Sequence, residues 1–131
     1  MPANYTAGIA AINRAVPVTI NPMPGQTTVS ASANTDLFMF GSVDANNFKL
    51  INGLAAGDML DVSDPDGTNG DFRLAQVASA AVVDSKGEWF FNAATDILTY
   101  WNGTSNTAGT VQLTGVNTLS VDVNAVFTIV N

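Results

Sequence analysis

Gly57-Asp58-Met59-Leu60-Asp61-Val62-Ser63-Asp64-Pro65-Asp66-Gly67-Thr68-Asn69-Gly70-Asp71 holds five of the ten aspartates in this 131-residue chain. Its first part, Met59-Leu60-Asp61-Val62, reads as a short strand. It then breaks into an Asp/Gly/Pro turn, and Phe72-Arg73-Leu74-Ala75 resumes a strand-like pattern. That rhythm of short strand and turn sets the fold class for the rest of the chain. Carboxylates this dense repel one another unless water, screening salt or a cation separates them. Two readings stand side by side. Clustered Asp and Asn oxygens on a glycine-kinked loop suit a hard cation such as calcium. The same residues also dominate ordinary solvated turns for conformational reasons.

Composition narrows the classes. The length fits one domain with a real core. Nearly half the residues are apolar, which argues against wholesale disorder. The net charge is −7, and the only basic residues are Arg14, Lys49, Arg73 and Lys86. So few cations cannot displace counterions from a phosphate backbone, which excludes nucleic acid as a partner, and adhesion to an anionic membrane is disfavoured for the same reason. No apolar run is long enough to insert in a bilayer. Ten Asp against the single Glu88 favours turns over helix surfaces. Histidine and cysteine are absent, which removes the usual general base, every Ser-His-Asp arrangement and any disulfide framework. The chain is therefore not expected to be an enzyme. Met1-Pro2-Ala3-Asn4-Tyr5 lacks the basic start of an N-terminal secretory signal.

Upstream of the acidic stretch, residues 1–34 hold four of the five prolines and no acidic residue. Thr6–Val16 has Ile9, Ile12 and Val16 at helical spacing. Val16-Pro17-Val18-Thr19-Ile20 reads as an extended segment that its proline confines to an edge, and Thr27–Ser32 alternates like a strand. This segment is either an ordinary N-terminal strand pair or an apolar arm that pairs with a neighbour's exposed edge, its contacts supplied by Ile9, Ile12, Val16, Val18 and Ile20. From residue 35 to 131, strands are expected at Leu37–Phe40, Phe48–Ile51, Met59–Val62, Phe72–Val77, Ala80–Val83, Glu88–Phe91, Ile97–Trp101, Thr110–Thr114 and Ser120–Val130. Asn92–Asp96 is expected to close a hairpin. The whole reads as all-β, a small β-sandwich or β-roll with an extended N-terminal arm.

Asp36-Leu37-Phe38-Met39-Phe40 and Leu54-Ala55-Ala56-Gly57-Asp58-Met59-Leu60-Asp61-Val62-Ser63 resemble segments of the C-terminal region of RTX exoproteins, a calcium-binding β-roll class secreted by type I transporters. Trp89–Thr104, Thr110–Val116 and Val126-Phe127-Thr128-Ile129-Val130 are similar to later passages of that region, so the resemblance covers roughly residues 35–131. The family's glycine-rich nonapeptide is missing, and Asn47 and Asn52 stand where its strand carries Asp. The resemblance implies export by an uncleaved C-terminal signal to the extracellular space or cell surface. It also implies calcium as cofactor, with Asp58, Asp61, Asp64, Asp66, Asn69 and Asp71 as ligands and Asp36 and Asp44 as outlying candidates. Calcium would then make packing of the loop conditional on the ion.

Glu88 beside Trp89, with Asp84 or Asp96 as second carboxylate, is the pair that glycoside hydrolysis would use. Alternation, however, turns Trp89 and Phe91 to one face, where the core claims at least one ring. Tyr100 and Trp101, before the turn Asn102-Gly103-Thr104, are candidates for stacking on a glycan. With no catalytic set, the expected role is a secreted structural subunit that self-assembles into a filament, surface layer or matrix, its copies joined by strand addition. A carbohydrate-binding or adhesin module is the alternative, and a phage-type capsid or decoration protein a third.

Overall fold

Apolar residues that recur every second position place one face of each strand inside, and that alternation organises the chain. The computed structural model describes residues 17–43, 46–62, 72–103, 107–122 and 126–131. Ten strands follow in order: β1 (Val18–Ile20), β2 (Thr28–Ser30), β3 (Asp36–Met39), β4 (Leu50–Asn52), β5 (Met59–Asp61), β6 (Trp89–Asn92), β7 (Ile97–Tyr100), β8 (Gly109–Leu113), β9 (Leu119–Val121) and β10 (Val126–Ile129). Among the described residues there is no α-helix, only a 3-10 turn at Ala80–Val82. In β8, Gly109, Val111 and Leu113 are buried while Thr110 and Gln112 face out, the two-residue period of a half-buried strand.

The strands form two five-stranded mixed sheets, ordered β1-β3-β5-β10-β9 and β2-β4-β8-β7-β6. Consecutive strands from β1 to β5 alternate between the sheets, and β1, β3 and β5 pair in parallel, as do β2, β4 and β8. The N-terminal half thus winds like a roll, each circuit laying one strand on each sheet. The C-terminal half closes the sandwich with antiparallel pairs. Of the architectures named from the sequence, the two packed five-stranded sheets are those of a small β-sandwich.

Between the sheets lies a core rich in aromatic rings. Phe48 packs edge-on against Phe38 and Phe40, with centroids 5.6 and 5.4 Å away, and Phe40 meets Tyr100 at 5.8 Å. Farther along, Phe127 takes Trp89 at 4.9 Å and Phe72 at 5.9 Å. Edge-to-face rings gain from their quadrupoles beyond simple burial. Gly109 allows β8 to pass Tyr100 closely: a Cβ there would stand 2.9 Å from the Tyr100 Cζ and 2.9 Å from the Val43 Cγ1.

Four expected strands are corrected. Phe48 precedes β4, which is set two residues later, over Leu50–Asn52. Residues 72–83 form no regular strand. That segment meets β6 and the turn before it at separated points: Arg73 N–H donates to the Gly87 carbonyl, Val77 N–H to the Trp89 carbonyl, the Trp89 indole N–H to the Arg73 carbonyl and Phe91 N–H to the Gln76 Oε1. Leu74 is 63% exposed, so no buried face drives continuous pairing. Ser120–Val130 is two strands, because the chain reverses after Asp122, whose carboxylate accepts the Val126 N–H at 3.1 Å. Asp and Asn at 122 and 124 are turn formers.

Candidate functional site

Asp58 immediately precedes β5, inside the acidic stretch, and is fully buried. Its Oδ2 accepts the Ala55 N–H at 2.8 Å, closing the turn through Gly57, which has a φ of 97°. Its Oδ1 accepts the Asp36 N–H at 3.0 Å. Around it, Gly57 N–H donates to the Ile129 carbonyl and Ile129 N–H to the Asp58 carbonyl. One aspartate therefore ties its own turn to β3, beside a backbone clasp on β10. Asp36, also fully buried, accepts the Ser32 N–H and the Ser32 hydroxyl, each at 2.7 Å. Backbone N–H and hydroxyl donors to an ionised carboxylate make strong, charge-assisted hydrogen bonds.

Strand geometry separates two of the expected ligands. Asp58, Leu60 and Val62 point inward, whereas Asp61 lies on the other face of β5 and is only half-buried. Residues an odd number apart on a strand face opposite ways, so Asp36 and Asp58 are brought together and Asp61 is not. Asp44, Asp64, Asp66, Asn69 and Asp71 lie outside the described residues. Among the described residues, no three acidic side chains converge on one point.

The stacking pair is likewise divided. Tyr100 is fully buried, with no ring face open to a glycan, while Trp101 is half-buried. Burial pushes the Tyr100 phenol well above the ordinary range, and the nearby Asn47 side chain offsets only part of that. Glu88, weighed as a catalytic carboxylate, accepts the Asp84 and Ser85 N–H groups at 3.0 and 3.1 Å, and its other oxygen lies 3.3 Å from an Arg73 nitrogen. It closes the turn before β6.

Two asparagines that the sequence marks only as a departure from the RTX pattern and as a turn residue are buried amides, Asn47 and Asn102. Asn47 accepts the Gly41 N–H at 2.8 Å and donates to the Gly41 and Ser42 carbonyls. An aspartate there would lack both donors, so the Gly41 and Ser42 carbonyls call for the amide. Asn102 donates to the Gly41 and Val62 carbonyls at 3.1 and 2.8 Å, pinning the ends of β3 and β5 to the end of β7. Those partners are distant in sequence, so no local signal marks them.

The sheet edges complete the site. Val18 and Ile20, expected in the arm, belong to β1 at one edge of the first sheet, paired with β3 of the same chain; Ile9, Ile12 and Val16 lie outside the described residues. At the other edge of that sheet is β9, which runs in the same direction as β1. Between β9 and β6 opens a cavity of about 180 Å³ lined by Trp89, Phe91, Leu119, Gln76, Ala93 and Thr118 among others. Its signal in the sequence was the alternation of Trp89, Phe90 and Phe91, which turns two rings to one side. No family model matches the chain, and no curated protein and no solved structure matches it.

Proposed function

We propose that this protein is a secreted structural subunit that polymerises by strand addition and is stabilised by calcium. The observation that carries the reading is the layout of the first sheet: its N-terminal strand β1 forms one edge, and β9, running the same way, forms the other. Copies related by translation can extend that sheet, and a head-to-tail contact that does not close makes a fibre. Export and calcium come from the RTX resemblance, and the carboxylates of residues 64–71 are the groups the ion would neutralise. A chain of −7 net charge resists self-association until that charge is screened or bound.

Purified full-length protein, freed of divalent ions, is followed by circular dichroism and light scattering as calcium is added and then chelated. Filaments that form with calcium and disperse with chelator are the expected result. Filaments indifferent to the ion would remove calcium from the reading, and a monomer under all conditions would end it.

A further inference from the structure

The assembly reading needs an acceptor, and the two edge strands at the β6/β9 end of the sandwich are treated differently. The outer edge of β6 is covered by its own chain: Phe91 N–H donates to the Gln76 Oε1 at 2.9 Å, and the Trp89 carbonyl accepts the Val77 N–H at 2.9 Å. The edge of β9 has no such cover among the described residues. Val130 N–H donates to the Thr118 carbonyl and Asp122 N–H to the Val126 carbonyl, with Ser120 opposite Thr128. Antiparallel pairing alternates, so the N–H and C=O groups of Leu119 and Val121 point away from β10. An open edge beside a cavity walled by Trp89, Phe91 and Leu119 combines the two parts of strand-addition recognition: main-chain hydrogen bonds for affinity and a pocket for alternate side chains.

We propose that residues 7–15 of a second copy add as a strand along the outer edge of β9, with Ile9 seated in the cavity against Trp89 and Phe91. The proposal rests on the assembly reading and names its acceptor. On a strand, Ala7, Ile9, Ala11, Asn13 and Ala15 share a face, so one large side chain stands between small ones, matching a single cavity. At about 180 Å³ it exceeds the roughly 150 Å³ of a void known to take a benzene-sized group. Ile12 and Arg14 fall on the opposite face. Charge agrees: residues 1–35 carry Arg14 and no acid, while all eleven acidic residues lie after them against three basic ones.

The test uses full-length chains, scored by sedimentation and electron microscopy. Ile9→Asp (defective arm) and Ala93→Arg (a charged side chain at the cavity mouth, from an exposed turn) each stay monomeric, whereas Ala10→Asp, which puts the same charge on the opposite face of the strand, polymerises like the parent. Mixed together, Ile9→Asp and Ala93→Arg form dimers and nothing longer, since the mixture retains one sound arm and one sound acceptor. That complementation excludes misfolding as the cause. A synthetic peptide of residues 5–16 caps the parent fibre, and its Ile9→Asp form is at least tenfold weaker. Fibres formed undiminished by both variants would overturn this acceptor and leave the assembly reading standing. A parent that never polymerises would overturn both.

Discussion

Both oxygens of the Asp58 carboxylate accept backbone N–H groups, from Ala55 in its own turn and from Asp36 on β3. Removing an acceptor leaves a buried donor with its full desolvation cost, on the order of 1–3 kcal/mol each. Asp58→Ala is therefore expected to lower the urea midpoint of the monomer sharply, with or without calcium. Asp58→Asn, which keeps one acceptor oxygen, should lie between it and the parent. Tyr100 gives a pH signature. An unfolded tyrosine loses its proton near pH ~10, but burial raises the folded phenol above that. The folded state then holds the proton where the unfolded state has released it. The corresponding stability is fully present below about pH 10 and is lost as pH rises beyond it. Urea midpoints compared at about pH 8 and about pH 11 should fall further for the parent than for Tyr100→Phe.

At the scale of the element, β9 is three residues bonded, among the described residues, on one side. Amide exchange in the monomer should be fast at Leu119 and Val121 and slower at Ser120, which faces β10. Assembly should slow the first two, and two-dimensional NMR of exchanged, redissolved fibres reads both states. The hairpin that ends with β10 also marks a limit of pattern reading. Val121, Val123, Phe127 and Ile129 keep one parity through a chain reversal, so a period of two cannot distinguish one long strand from two short ones. The β6–β7 hairpin was legible because Asn92–Asp96 carries its own turn chemistry: Asn92 Oδ1 accepts the Ala94 N–H, and Asp96 takes a φ of 59°. Residues 72–83 read as strands from composition alone, and the absence of a buried face on Leu74 and Val82 is a tertiary fact.

On the scale of the molecule, the all-β class followed from strand length, turn residues and the scarcity of helix signals. The winding did not, because which sheet a strand joins depends on partners far along the chain, such as Val18 with Asp36 and Leu50 with Gln112. The same holds for the site. The acidic stretch was conspicuous, yet Asp58 could be recognised as a brace only once Asp36 stood beside it. The roll also has a mechanical consequence. Tension entering the chain at Pro17 falls first on the outermost strand, held among the described residues by β3 along one side. That short strand can peel away, and then its counterpart β2 on the second sheet, while the antiparallel half around Phe127 stays intact. A thread of such subunits would lengthen under load by uncoiling at its joints and would rewind when slack.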